Sequence, residues 1–206
     1  MKKKFPDQIP IFPLSGVIYF PKTNLPLNIF EQRYLDLVND AVQKDKLMGM
    51  IQSKRKRKEV YKVGCLGKIN DFQKSKDGRI LINLTGIIRF EILEEIKNSK
   101  LYREFKVNYN KFGSDTNPII EKVDFKSLME KIKVFFKRNN LLLNWKEFEK
   151  LDRQQQINTL AMLSPVTNEE KQKLLESISL KEKVKTLENI INFYLHEINF
   201  KNQTIQ

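Results

Sequence analysis

Short apolar runs cut by proline, glycine and polar clusters fill the first half of the chain, and stripes with a helical period fill the second. Runs at 9–12, 17–20, 25–29, 47–52, 61–72, 79–84, 87–96 and 102–112 have the length and the β-branched or aromatic content of strands. Pro13, Pro21 and Pro26 each remove a backbone donor, which confines the runs around them to edge strands, strand beginnings or extended corners of a small barrel. Lys76-Asp77-Gly78 predicts a turn, and Gly86 sits too close to its flanking runs for a hairpin, so a bend or bulge is expected there. One early segment has a different period: Phe30, Tyr34, Leu37, Val38 and Ala41 share one face of a helix and would plug an end of the barrel.

Residues 113–118, GSDTNP, read as a polar linker. Beyond it Phe125, Leu128, Ile132, Phe135 and Phe136 form one helical stripe, and a second helix is predicted over 145–163 with Phe148, Leu151, Leu160 and Ala161 facing inward. Thr167 with Glu170, and Ser179 with Glu182, have capping-box spacing and mark two more helix starts. The expected organisation is therefore a β domain over 1–117 and a helical domain over 118–206.

Residues 10–38, PIFPLSGVIYFPKTNLPLNIFEQRYLDLV, closely resemble the opening of the substrate-binding amino-terminal domain of ATP-dependent Lon proteases. LMGMIQ (47–52), VGCLGKI (63–69), GRILINLTGIIRF (78–90) and NTLAMLSPVTNEEKQKLLE (158–176) follow as further landmarks, so the likeness covers roughly residues 9 to 195. This resemblance implies an α+β fold: a PUA-like (pseudouridine-synthase-and-archaeosine-transglycosylase-like) six-stranded β-barrel with one packed helix, followed by a four-helix bundle packed on the barrel. It also implies a non-catalytic module that recognises unfolded or extended protein segments, a proteolysis adaptor with a protease or chaperone as a further partner. The enzymatic parts of Lon are not implied, because the chain has no GxxxxGK[ST] phosphate loop.

Glu31, Arg33 and Tyr34 match the family's FE-x-RY helix start, where the arginine can cross to a strand or loop acceptor. These residues are either a peptide contact or the brace between helix and barrel. Leu25, Pro26, Leu27 and Phe30 are the candidate peptide contacts, with Arg33 and Tyr34 orienting the helix, in a groove between barrel and bundle.

Charge adds a competing reading. Of the net +13, most falls in the first half, with 23 Lys/Arg against 13 Asp/Glu in residues 1–120 and 15 against 12 in the remainder. The densest run is Lys54-Arg55-Lys56-Arg57-Lys58, with Lys62 as an outlying contact, and it would serve a nucleic-acid-binding module through phosphate contacts. Against that, the RNP aromatics, GXXG loop and zinc knuckles of common RNA modules are missing.

Little else suggests chemistry. Cys65 is read as a small apolar residue, His196 as a surface residue near a helix end, and Ser164 before Pro165 as no nucleophile elbow. No metal, cofactor or catalytic residue is expected. A targeting segment or membrane span is not evident, which makes a cytoplasmic protein the default expectation.

Overall fold

The structure is a computed structural model that describes residues 5–54, 59–117 and 123–203, with side chains as far as residue 196. The chain divides into two compact units, Met1–Pro118 and Ile119–Gln206.

The first unit contains β1 (Gln8–Leu14), β2 (Asn24–Ile29), α1 (Gln32–Gln43), β3 (Leu47–Ser53), β4 (Val60–Lys74), β5 (Ile80–Ile96), β6 (Arg103–Asn108) and a 3-10 helix (Asn110–Asp115). The expected barrel is corrected by the strand pairing. The six strands form one mixed sheet in the order β2-β5-β4-β3-β1-β6, and β2 has a neighbour on one side only, so the six do not close on one another. β1 and β3 run parallel, joined by the long crossover that carries β2 and α1. The 17-residue β5 pairs with β2 along its first half and with β6 along its second.

The two runs at 79–84 and 87–96 are thus a single strand, bent at Gly86. The expected strand at 17–20 is not one. Ile18, Tyr19 and Phe20 are buried, and the segment lies over that bend, its Phe20 carbonyl filling the space a Gly86 side chain would need. The apolar run is spent on packing instead of on a ladder. Lys22, in the left-handed region at φ 61°, then steers the chain into β2 as a bulge opposite Gly86.

The expected face of α1 holds with one exception. Tyr34, Leu37, Val38 and Ala41 are buried with Met48, Met50, Cys65, Ile69, Ile80, Ile82 and Leu84 in one core, but Phe30 precedes the helix and is 66% exposed. The supposed linker also differs. Asp115 is buried and accepts hydrogen bonds from the Arg89 backbone N–H (2.9 Å), Nε (2.9 Å) and an Arg89 terminal nitrogen (2.8 Å), while the Arg89 guanidinium lies 4.5 Å from the Phe112 ring centre. A charge on the middle of β5 thereby ties down the 3-10 helix at the end of the sheet unit.

The second unit contains α2 (Lys126–Arg138), α3 (Trp145–Glu149), α4 (Arg153–Leu163), α5 (Asn168–Glu176) and α6 (Leu180–Gln203). Five described helices replace the expected four because the helix predicted over 145–163 is broken. Asp152 and Gln155 form a capping box that starts α4 afresh, and the buried Gln156 donates to the Phe148 and Glu149 carbonyls at the end of α3. Thr167 and Glu170 form the expected box on α5. At α6 only half of it forms: Ser179 Oγ accepts from Glu182 N, and Glu182 reaches back to Ile178 N. Phe125, Leu128, Ile132, Phe135, Phe136, Phe148, Ile157, Leu160, Leu174, Leu187 and Ile191 fill the interior.

Candidate functional site: the free edge of β2 and the start of α1

Among the described residues β2 is the edge of the sheet and pairs only with β5, in register from Asn24 opposite Thr85 to Ile29 opposite Ile80. Gly86 N donates to Thr23 O at the head of this ladder. Alternation along an antiparallel pair then turns the backbone groups of Leu25, Leu27 and Ile29 toward β5 and those of Asn24, Pro26 and Asn28 toward the free edge. Pro26 therefore forfeits no ladder bond, which explains how a proline is accommodated here. The edge offers N–H donors at Asn24 and Asn28 and none between them.

Leu25 and Leu27 are half-buried against the core, whereas Asn24, Pro26 and Asn28 are exposed. Next to them, Asn24 Oδ1 accepts from Thr85 Oγ1 at 2.6 Å, and Asn70 Nδ2 donates to the same Thr85 hydroxyl. This outward polar row leaves the apolar surface elsewhere. Leu27, Ile82 and Phe72 stand in one cross-strand row on the other face, and Phe72 is 39% exposed.

The chain leaves β2 at Phe30 and enters α1 through Glu31. Glu31 makes no side-chain cap, because its Oε2 accepts from Arg33 Nε (3.1 Å) and from an Arg33 terminal nitrogen (2.7 Å). The arginine folds back on its own turn rather than crossing to a strand, with its guanidinium carbon 4.4 Å from the Tyr34 ring centre. Tyr34 in turn packs on Phe12, ring centres 4.3 Å apart. Burial raises the Tyr34 phenol above its ordinary value, with Arg33 opposing and Glu31 adding to the shift. Tyr34 is thus the brace, while Glu31 and Arg33 remain half-exposed on the surface. Phe72 and exposed Leu81, opposite Asn28, belong to the same neighbourhood and were missed in the sequence. The alternation of ILINL from Ile80 to Leu84 carried the signal for Leu81.

The basic surface is only partly placed. Arg55, Lys56, Arg57 and Lys58 lie outside the described residues. Lys54 pairs with Glu59 at 3.8 Å and stands 5.7 Å from the Tyr61 ring centre, and Lys62 is exposed on β4. Ser164 is buried with Oγ donating to Leu160 O, Cys65 is buried beside the Leu66 carbonyl, and His196 is exposed on α6. Among the described residues, no three His, Cys, Asp or Glu side chains gather as they would around a metal ion, and no helix is long and apolar enough to cross a membrane.

A family model for the ATP-dependent protease La (LON) substrate-binding domain matches residues 8–192. The chain belongs to that family. The Lon protease of Syntrophus aciditrophicus is 24% identical over 93% of this chain, and that of Cytophaga hutchinsonii is 28% identical over 64% of it. The chain spans about a quarter of the length of the first of these, 26%, and 16% of the second. Two solved structures share the fold of this Lon substrate-binding domain. A Lon N-terminal domain protein from Xanthomonas campestris has a TM-score of 0.62 at 20% identity, covering 87% of this chain and 96% of the other. The N-terminal domain of the Mycobacterium avium complex Lon protease has a TM-score of 0.66 at 16% identity, covering 90% and 98%. The chain is the counterpart of the non-catalytic, protein-recognising part of Lon.

Proposed function

We propose that this chain recruits unfolded or extended polypeptide segments at the β2 edge and the start of α1, as a client-binding module for proteolysis in the cytoplasm. The observation that carries the reading is Phe30: a large aromatic, 66% exposed, held directly after a free strand edge. An apolar client side chain would desolvate Phe30. The client's backbone would bond to the open groups of Asn24, Pro26 and Asn28. Leu25 and Leu27 set the position of the strand from beneath, Tyr34 fixes the helix, and Arg33 with Glu31 presents a charged rim.

Backbone recognition explains why such a site would tolerate many sequences, and the gap at Pro26 would keep each complex weak enough to be released. The test is fluorescence anisotropy with reduced, carboxymethylated α-lactalbumin, which stays unfolded, as client. Burying the rest of one phenylalanine contributes on the order of 1–2 kcal/mol, so Phe30→Ser should weaken binding about tenfold without lowering the melting temperature. Binding should be indifferent to EDTA, ATP and nuclease. Unchanged affinity in Phe30→Ser would refute the site, and a client that binds only through nucleic acid would favour the basic run at 54–58 instead.

A further inference from the structure

Among the described residues, the backbone groups on the open side of β2 are the N–H of Asn24 and Asn28 and the C=O of Asn24, Pro26 and Asn28. They recur at every second residue, about 7 Å apart, which is the repeat of another extended backbone and not of an ion or a compact side chain. The side chains of the same three residues are exposed on the outer face, with Thr85, Asn83 and Leu81 opposite them on β5. Leu25 and Leu27 turn the other way and are half-buried, so each keeps part of its apolar surface at the rim of the core. Phe30 stands just beyond them, 66% exposed.

An added strand meets these features in a fixed order. In an antiparallel pair the residues facing Asn28, Pro26 and Asn24 form the hydrogen-bonded pairs. Those facing Leu27 and Leu25 form the non-hydrogen-bonded pairs, where opposing side chains come closest. Apolar side chains therefore gain most opposite Leu27 and Leu25, on the core face. Opposite Asn28, Pro26 and Asn24 a client side chain lies on the exposed outer face, where a polar group keeps its water. A slip of one residue would turn every apolar side chain outward, so the register is specified. A second copy of β2 is a poor occupant. With Pro26 facing Pro26 neither has an N–H to give the other, and any other register leaves two gaps instead of one.

We propose that recruited polypeptides dock antiparallel to β2 as a seventh strand in one register. The class of client is a segment of alternate apolar residues: a pair at i and i+2 against Leu27 and Leu25, preceded at i−3 by a large apolar residue for Phe30. The inference rests on the recruiting function proposed above. Alternation, rather than hydrophobicity as such, is then the property selected.

The test uses the whole chain and a fluorescein-labelled heptapeptide, Phe-Ser-Thr-Leu-Ser-Leu-Thr, with the amide nitrogens from the third residue to the seventh methylated one at a time. Methylation at the third, fifth and seventh residues removes an N–H that faces β2 and should weaken binding about tenfold in each case. Methylation at the fourth and sixth, whose N–H groups face water, should change it by less than about twofold. The reversed sequence, of identical composition, should bind about tenfold more weakly. Pro26→Ala supplies the absent donor and should tighten the parent peptide several-fold. Equal losses at all methylated positions would overturn the docked strand and leave recruitment standing, as would equal affinity for the two orders or no gain in Pro26→Ala. If no peptide binds while unfolded α-lactalbumin still does, the strand register is again overturned; if α-lactalbumin fails too, the recruiting function falls first.

Discussion

Replacing Asp115 by alanine would leave the Arg89 guanidinium and its backbone N–H without their shared acceptor at the centre of the sheet unit. The two side chains are 2% and 0% exposed and are joined by bonds of 2.8 and 2.9 Å, so water cannot take the place of the carboxylate without the 3-10 helix moving away. Breaking one side of a buried pair costs about 3–5 kcal/mol, mostly as the penalty of an uncompensated buried charge. A domain holds only about 5–15 kcal/mol in total, so Asp115→Ala should remove about a fifth or more of the unit's stability. With a urea slope of about 1.5 kcal/mol/M, the midpoint should fall by about 2–3 M. Hydrogen exchange of the β4 and β5 amides would follow the sheet, while the one tryptophan, Trp145 on α3, reports the helical unit separately. Arg89→Met with Asp115→Leu should recover much of the loss, because an apolar pair carries no unpaired charge. A midpoint within about 0.5 M of the parent in Asp115→Ala, or a double variant no more stable than the single, would refute the argument.

Three further outcomes concern other buried or paired groups. Tyr19 is buried and its hydroxyl has no hydrogen-bond partner among the described residues, so Tyr19→Phe should leave thermal stability unchanged or raise it; a loss above about 1 kcal/mol would show that the hydroxyl is satisfied. A Cβ at Gly86 would stand 2.1 Å from the Phe20 carbonyl oxygen, so Gly86→Ala should cost about 2–3 kcal/mol in chemical denaturation, against almost nothing for Gly113→Ala, whose Cβ meets nothing within 4 Å. Lys131, donating at 2.7 Å, and then Ser127, at 2.8 Å, hold the Glu188 carboxyl below its ordinary value. That contribution is complete above the unfolded pKa of about 4.3 and is lost as pH falls through the lower folded value, so Glu188→Gln should flatten the acid limb of a stability–pH curve followed by Trp145 fluorescence.

The strands, α1 and the capping boxes were legible because their signals are local: period, proline, and a hydroxyl three residues from a glutamate. What escaped depended on partners distant in sequence. Residues 17–20 have the composition of a strand, and only the bend at Gly86, more than sixty residues on, makes a packing role for them. Asp115 looked like part of a polar linker, since nothing in GSDTNP announces that an arginine 26 positions earlier waits in the core. The break between α3 and α4 was readable in principle, because Asp152 and Gln155 have capping-box spacing inside the predicted helix. At the candidate site Leu25, Pro26 and Leu27 could be placed on an edge from the proline alone. The periodicity that put Phe30 on the buried face of α1 failed because the helix begins two residues later, at Gln32.

The missing donor at Pro26 has a bearing on the protein's own solubility. A protein that gathers sticky, unfolded chains on an open strand edge runs the danger of becoming the first layer of a fibril, since each captured strand presents a fresh edge to the next molecule. Growth of that kind needs an uninterrupted row of backbone bonds in every layer. β2 interrupts the row at its third residue, and the flanking Asn24 and Asn28 side chains are polar. Pro26 therefore breaks the row of donors on β2 itself, so that a second copy of this strand cannot pair with it along its whole length, and a single imino acid guards the edge against pairing with its own kind.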